Sequence, residues 1–314
     1  MLNLSEPIQW HAQTKGTAPA IVFGDQAIDY SSLNSSIERY CNGLKRLGLN
    51  PGDVVGVDIG DTPEHIYLLF ALTRLYMVIL PLDVKWTQAE KKSVIEHFSA
   101  RLVITDNQEK LLSSSIHVSE LAERDSGSTP QTQAEGGMNR PFLISLSSGT
   151  TGRPKGPLIN QEHFFRRFIT HWVNIGLNAR SRLLINTPLY FGGGRTFAMS
   201  VLVSGGLIFL PSTRLSATDL PVFVKSVDMN SMFVVPTQLR RLLELDSRDQ
   251  GALKDLELLL CSGAPLSPLE RQRVVTDLCP NFYEYYASTE GGGVSLSGPS
   301  TRDPHFESVG RPVF

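Results

Sequence analysis

Residues Ser147-Ser148-Gly149-Thr150-Thr151-Gly152-Arg153-Pro154-Lys155-Gly156 decide how this chain is read. They follow a short apolar run, Phe142-Leu143-Ile144-Ser145-Leu146, whose pattern predicts a strand. Hydroxyls, glycines and one lysine therefore arrive together at a strand end. Glycines let backbone N–H groups approach an anion closely, and hydroxyls and an ammonium add donors and charge. That chemistry suits a polyphosphate. A Walker loop needs Ser or Thr after its lysine, whereas Lys155 is followed by Gly156. The competing reading is a flexible Ser/Gly/Thr surface loop with no ligand.

Outward from this stretch, the whole chain bounds the answer. Its 314 residues can bury a large core and form about two domains or subdomains. A hydrophobic content of 41% with 19% charged residues fits a soluble globular protein. With 29 basic and 31 acidic residues the net charge is −2, so nothing suggests electrostatic binding to nucleic acid or to an anionic membrane. Cys41, Cys261 and Cys279 have no metal-type or redox spacing and suit a reducing compartment, the cytoplasm. The start, Met1 to Glu6, has no basic n-region or apolar core of a signal peptide. The apolar patch from Ile66 to Leu82 is interrupted by Thr73, Arg74 and Pro81; it reads as a buried helix running into a strand, not as a membrane span.

Apolar and polar segments alternate in a β/α rhythm. Ile37, Tyr40, Cys41, Leu44 and Leu47 recur at helical spacing, and Gly48 ends that helix. A strand is expected at 54–59. Thr62-Pro63-Glu64 then offers a cap, a proline at the first helical position and an early acid. Thr87 to Glu90 reads as a capping box, and 101–105 as the next strand. Composition turns polar between Ser113 and Arg140, where much of the chain reads as loop and Ser126–Gly137 as a flexible connection. Strand-like runs follow at 142–146, 182–186, 207–210, 232–235, 257–261 and 282–286, with helical patterns between them. Strands separated by helices imply parallel sheet with helical cover. The expected division is a first α/β part at 1–125, a connection at 126–140 and a second α/β part at 141–314.

Three further segments carry candidate chemistry. Tyr285-Tyr286-Ala287-Ser288-Thr289-Glu290 leads from a strand-like run into Gly291-Gly292-Gly293. Cys261-Ser262-Gly263-Ala264-Pro265-Leu266 follows an apolar run and leads into a helix start at Ser267-Pro268-Leu269-Glu270. Thr187-Pro188-Leu189-Tyr190-Phe191 precedes Gly192-Gly193-Gly194. Cys261 reads as a buried strand residue, because free cysteine is usually core. Glu290, taken alone, would be a solvated surface acid. The seven histidines do not cluster, and no zinc pattern or Gly-x-Ser-x-Gly nucleophile turn is present.

With these segments in this order, the chain resembles the adenylate-forming superfamily of acyl-CoA synthetases, luciferases and nonribosomal-peptide adenylation domains. The resemblance spans nearly the whole chain. It implies two α/β subdomains of the family's N-terminal domain, with the nucleotide site near 148–155, 263–265 and 286–290. It implies that ATP is held at Ser148, Gly149, Thr150, Thr151, Gly152 and Lys155, with the loop glycines, Gly156 included, permitting movement. Gly263, Ala264 and Pro265 would border the adenine. Tyr286 would pack on it, Thr289 would meet a phosphate oxygen, and Glu290 would help bind Mg²⁺, an ion suited to hard oxygen donors. Lys155, Thr289 and Glu290 are the implied catalytic residues. Ala287 departs from the family pattern, which usually has glycine there; its methyl narrows a pocket or changes nothing.

Phe191, Gly192, Gly193, Val235 and Ala287 are the implied acyl-pocket residues, with Phe197 and Pro236 as further walls or plain core. Phe191 stands where many relatives carry histidine, and the acid that amino-acid-activating relatives use near this point is missing. An apolar, glycine-rich wall favours a carboxylic acid without an α-amino group. Arg195 could bind a second carboxylate or lie on the surface. The implied reaction is carboxylate plus ATP to acyl-AMP and pyrophosphate, then transfer to CoA or to a carrier-protein phosphopantetheine. The family's C-terminal domain and its lysine are expected to be absent from these 314 residues. The chain is then a truncated N-terminal domain with low activity alone, or a short non-catalytic paralogue that binds nucleotide or acyl groups.

Overall fold

Short apolar runs form the central strands, and those at Val78–Pro81, Leu102–Thr105, Leu207–Leu210, Ser231–Val234 and Leu258–Cys261 are buried along their whole length. The computed structural model describes residues 3–107, 115–123, 137–146, 155–299 and 308–313. In chain order the strands are β1 (Pro19–Phe23), β2 (Gln26–Asp29), β3 (Val54–Asp58), β4 (Val78–Pro81), β5 (Leu102–Thr105), β6 (Ser115–His117), β7 (Pro141–Ile144) and β8 (Leu158–Asn160). The later ones are β9 (Arg182–Ile185), β10 (Leu207–Leu210), β11 (Ser231–Val234), β12 (Leu258–Cys261), β13 (Phe282–Ser288), β14 (Gly292–Ser297) and β15 (Arg311–Pro312). They make two sheets, β6-β5-β3-β4-β7-β8 and β15-β14-β13-β12-β11-β9-β10-β1-β2. Each sheet is parallel at its centre and antiparallel at β7/β8 or at β13/β14/β15. The fold is mixed α/β with two sheet-and-helix parts, as expected.

By their contacts the residues divide into two compact units. The first is Met1–Ala20, Ala27–Phe165 and Leu189–Gly192; the second is Ile21–Gln26, Arg166–Pro188 and Gly193–Phe314. β7 and β8 belong to the first unit's sheet. Its core gathers Val78, Leu80, Leu82, Val94, Ile95, Val103 and Ile144. The helix Pro63–Arg74 in this unit buries Ile66 to Thr73 without interruption. A helix apolar on all sides must sit inside a core, which accounts for the Ile66–Leu82 patch. Among the described residues no helix is long and apolar enough to cross a membrane.

Local signals explain most boundaries. The helix Tyr30–Lys45 begins where Asp29 accepts a hydrogen bond from the Ser32 N–H at 2.7 Å, and Gly48 beyond its end takes φ +66°. The capping boxes at Thr87/Glu90 and Ser267/Glu270 both form. Thr62 precedes its helix in extended backbone but makes no side-chain cap bond; Pro63 at the first helical position sets that start. Ser115–His117 and the helix Val118–Glu123 lie within the stretch read mainly as loop, because three residues suffice to add an edge strand beside β5.

Candidate active site

In the second unit the carboxyl ends of β11, β12 and β13 stand side by side. Their register pairs Val234 with Cys261 and Cys261 with Glu284. One residue beyond Val234 is Val235, and two beyond Cys261 is Gly263. Gly263 adopts φ +116°, and a Cβ there would lie 3.9 Å from Val235 Cγ1. Glycine is thus required for the backbone turn, with Val235 as its neighbour. Two residues beyond Glu284 on β13 is Tyr286. Gly263, Ala264, Pro265, Tyr286 and Ala287 are all exposed, forming a ledge of small residues and one ring. Cys261 is buried, which pushes its thiol pKa up and fits a core residue rather than a nucleophile.

The turn after β12 is held from both sides. The Leu266 N–H donates to Glu284 Oε1 at 3.2 Å, and Glu284 Oε2 lies 2.5 Å from Arg271 Nε. Arg271 also donates to the Ser308 carbonyl at 2.6 Å. Burial pushes the Glu284 carboxyl up, against the pull of Arg271. Arg240 pairs with Glu270 at 2.5 Å, and that guanidinium holds the Glu270 carboxyl at about 2. Sequence reasoning missed this support, since an isolated Glu284 or Arg271 looks like any strand or helix residue.

β13 and β14 form a hairpin whose tip is Thr289-Glu290-Gly291. Ala287 pairs with Gly293 and Ser288 with Gly292, and the register shifts between Tyr286 and Ala287. Such a bulge re-aims the strand end. Gly291 N–H is held by Ser288 Oγ at 2.9 Å, and Gly292 takes φ +80°. Thr289 is half-buried. Glu290 is exposed, and its carboxylate has the Arg167 guanidinium as an electrostatic neighbour. No cluster of three or more His, Cys, Asp or Glu capable of holding a metal occurs among the described residues. A single exposed carboxylate suits Mg²⁺ carried in on phosphates rather than a protein-built cage.

Beneath this hairpin lies an aromatic group. His171 stacks on Phe197 at 4.3 Å, Phe197 meets Phe233 at 4.6 Å, and Tyr285 approaches His171 edge-on at 5.9 Å. Gly193 opens onto it, since a Cβ there would lie 2.7 Å from the Phe233 ring. A Cβ on Gly194 would strike the carbonyls of Thr187 and Pro188. These glycines let the helix Gly192–Ser204 begin tight against the end of β9. Arg195 on that helix is fully buried rather than at the surface. Burial, with Arg167 nearby, draws its pKa down to about 9, so it stays charged at neutral pH.

Among the described residues, three implied site residues belong to the first unit. Lys155 and Gly192 are exposed, and Phe191 is half-exposed against Tyr190. Ser148, Gly149, Thr150, Thr151 and Gly152 lie outside the described residues. Gly156 is tightly packed. Its Cα faces Ile144 and Phe98, whose ring would lie 2.8 Å from an added Cβ. A hydroxyl residue after Lys155, as in a Walker loop, has no room there.

A family model described as AMP-binding enzyme matches residues 8–314. The chain belongs to this family. Among curated relatives of the chain, the 2-succinylbenzoate–CoA ligase of Bacillus licheniformis is 26% identical over 303 residues. That match covers 94% of this chain and 62% of the relative's length. The nonribosomal peptide synthetase fmqA of Aspergillus fumigatus is 25% identical over 291 residues, covering 90% of this chain and 7% of that protein. The N-terminal subdomain of Klebsiella oxytoca NpsA, solved with 3-hydroxybenzoyl-AMSN, shares the fold. Its TM-score is 0.88 at 19% identity, over 100% of this chain and 81% of that one. The chain therefore spans less than two thirds of the ligase's own length.

Proposed function

We propose that this chain is the nucleotide-handling part of an ATP-dependent ligase that activates a carboxylic acid lacking an α-amino group. A carboxylate oxygen attacks the α-phosphorus of ATP. The bond to the β-phosphate oxygen breaks, and pyrophosphate leaves with its electron pair. A thiol sulfur, that of CoA in this reading, then attacks the acyl carbon and AMP departs. The observation that carries the reading is the hairpin tip. It offers a hydroxyl at Thr289 and an exposed carboxylate at Glu290 at the end of the strand next to the one that leads into the exposed Gly263-Ala264-Pro265 turn.

In this reading the adenine lies between Tyr286 and the Gly263-Ala264-Pro265 turn, which give it an apolar slot lined by backbone. Thr289 donates to a phosphate oxygen. Glu290 holds Mg²⁺, which neutralises charge on the leaving pyrophosphate. Lys155 and the hydroxyls of Ser148, Thr150 and Thr151 bind the β- and γ-phosphates. The acyl group rests on the Gly193 face, with Val235 and Ala287 as further walls. Loading of a carrier protein is the second reading, supported by the similarity to a nonribosomal peptide synthetase. We further propose cytoplasmic residence, from the three unpaired thiols.

The test is carboxylate-dependent ATP–pyrophosphate exchange over a panel of acids, with CoA and a phosphopantetheinylated carrier as acceptors. Exchange with a non-amino acid, abolished by Glu290→Gln at low Mg²⁺, is expected. Exchange only with α-amino acids would overturn the substrate assignment. ATP binding without exchange under any acid would overturn the enzyme reading.

A further inference from the structure

The tip residues that the proposed reaction uses have carbonyls with no partner in the strand ladder. Both are met by one side chain. Arg167, on the helix Gln161–Thr170, donates through Nη2 to the Thr289 carbonyl at 3.0 Å and to the Glu290 carbonyl at 3.0 Å. Arg167 is itself only 9% exposed. Its stem lies so close to the hairpin that a Cβ on Gly292 would come within 2.9 Å of Arg167 Cγ and 3.1 Å of Nε. The guanidinium and Gly292 are thus fitted to each other, and the clamp reaches 122 residues along the chain.

We propose that Arg167 is a positioning residue for Mg·ATP: it fixes the backbone of the Thr289–Glu290 tip through two carbonyl bonds, so that the two side chains are preorganised for phosphate and metal. The inference rests on the ligase reading above, because it assigns those side chains their ligands. A three-residue hairpin tip whose carbonyls point to water can rock about its ends. Charged donors inside a largely dry site hold it far more firmly, since hydrogen bonds to charged groups are the strong ones. Preorganisation of this kind acts on the charge that develops in the transition state. Arg167 therefore governs the reaction without touching a reacting atom.

The experiment compares wild type, Arg167→Met, Arg167→Lys and Gly292→Ala in the protein that carries this chain. ATP–pyrophosphate exchange is titrated with Mg²⁺ and with the acid, and amide hydrogen exchange is followed at 288–293. Arg167→Met is expected to lower kcat by about 10- to 100-fold, the loss of one or two charge-assisted bonds. It should raise the Mg²⁺ concentration needed for half-maximal rate and leave the KM of the acid within about twofold. Arg167→Lys, which can reach one carbonyl, should recover part of both the rate and the Mg²⁺ response. Gly292→Ala keeps the charge but pushes on the Arg167 stem and Nε and strains a φ of +80°, and should shift the Mg²⁺ response in the same direction. Faster exchange at the tip should accompany each loss.

Unchanged tip exchange in Arg167→Met would overturn the clamp. A uniform fall in rate that tracks thermal unfolding, with no change in Mg²⁺ response and no rescue by lysine, would make Arg167 merely structural and also overturn it. A wild-type protein with no exchange under any acid would instead overturn the ligase reading, while tip protection would still report on the clamp.

Discussion

His171 sets an acid limit on the second unit. Its ring is buried, stacked on Phe197, flanked by Phe168 and Tyr285, and its Nδ1 has no hydrogen-bond partner among the described residues. Burial, reinforced by the Arg167 guanidinium, draws its pKa from an ordinary 6.5 down to about 3. The folded protein therefore keeps the imidazole neutral at pH values where the unfolded chain binds a proton. Stability from this site is present above the unfolded pKa and is lost as the pH falls towards the folded one. Each pH unit in that window costs about 1.4 kcal/mol, so moving from pH 7 to pH 5 removes about 2 kcal/mol. For a domain of this size that is a fall of about 4–8 °C in Tm.

The perturbation is His171→Phe, which keeps a ring against Phe197 and removes the titrating group. Thermal unfolding of wild type and variant would be followed at pH 7 and pH 5 by circular dichroism. The variant should lose less Tm than wild type over this interval by about 4–8 °C, whatever its stability at pH 7. Parallel losses in the two proteins would refute the reasoning, because the acid sensitivity would then reside in other groups.

Three further outcomes follow from the packing. Gly194→Ala should destabilise by the upper end of about 1–3 kcal/mol and disturb the Gly193 face, since its methyl meets two backbone carbonyls that cannot swing aside; chemical denaturation reads the first effect and the KM for the acid the second. Gly156→Ser should cost about 1–3 kcal/mol by overpacking Ile144 and Phe98, measured as a lower unfolding midpoint. Arg271→Met leaves the Glu284 carboxylate buried without its cation. It should cost about 3–5 kcal/mol at neutral pH, and the loss should shrink at acid pH as Glu284 is protonated, a recovery that an unfolding series at pH 7 and pH 5 would detect.

Much of this architecture is legible in the chain because parallel strands buried on both faces read as unbroken apolar runs. Leu207–Leu210 and Leu258–Cys261 are of this kind, and both appear as strands within a residue of their expected bounds. Capping boxes at Thr87 and Ser267 are equally readable, since the whole signal lies within four residues. What fails to show is information stored between distant positions. β14 opens on two glycines and alternates little, β15 is only two exposed residues, and pairing with β13 and with β14 respectively makes them strands.

The same limit governs the candidate site. Tyr286, Thr289 and Glu290 announce themselves by lying together in one short segment, but the groups that hold that segment do not. Arg167 is one of two adjacent arginines on an amphipathic helix, and the sequence gives no reason to prefer it to Arg166. In the fold it is the buried one, its Nη2 between two carbonyls of a hairpin more than a hundred residues away. Arg195 shows the converse. Its place after three glycines allows a surface residue, yet those glycines let the helix begin so close to β9 that its side chain has only the interior to enter. A glycine-rich stretch can therefore mark close packing as well as motion. At Gly156, Gly193, Gly194 and Gly292 the missing side chain is what admits the neighbouring group, so alanine or serine at these positions probes the site's construction more directly than loss of any exposed polar residue.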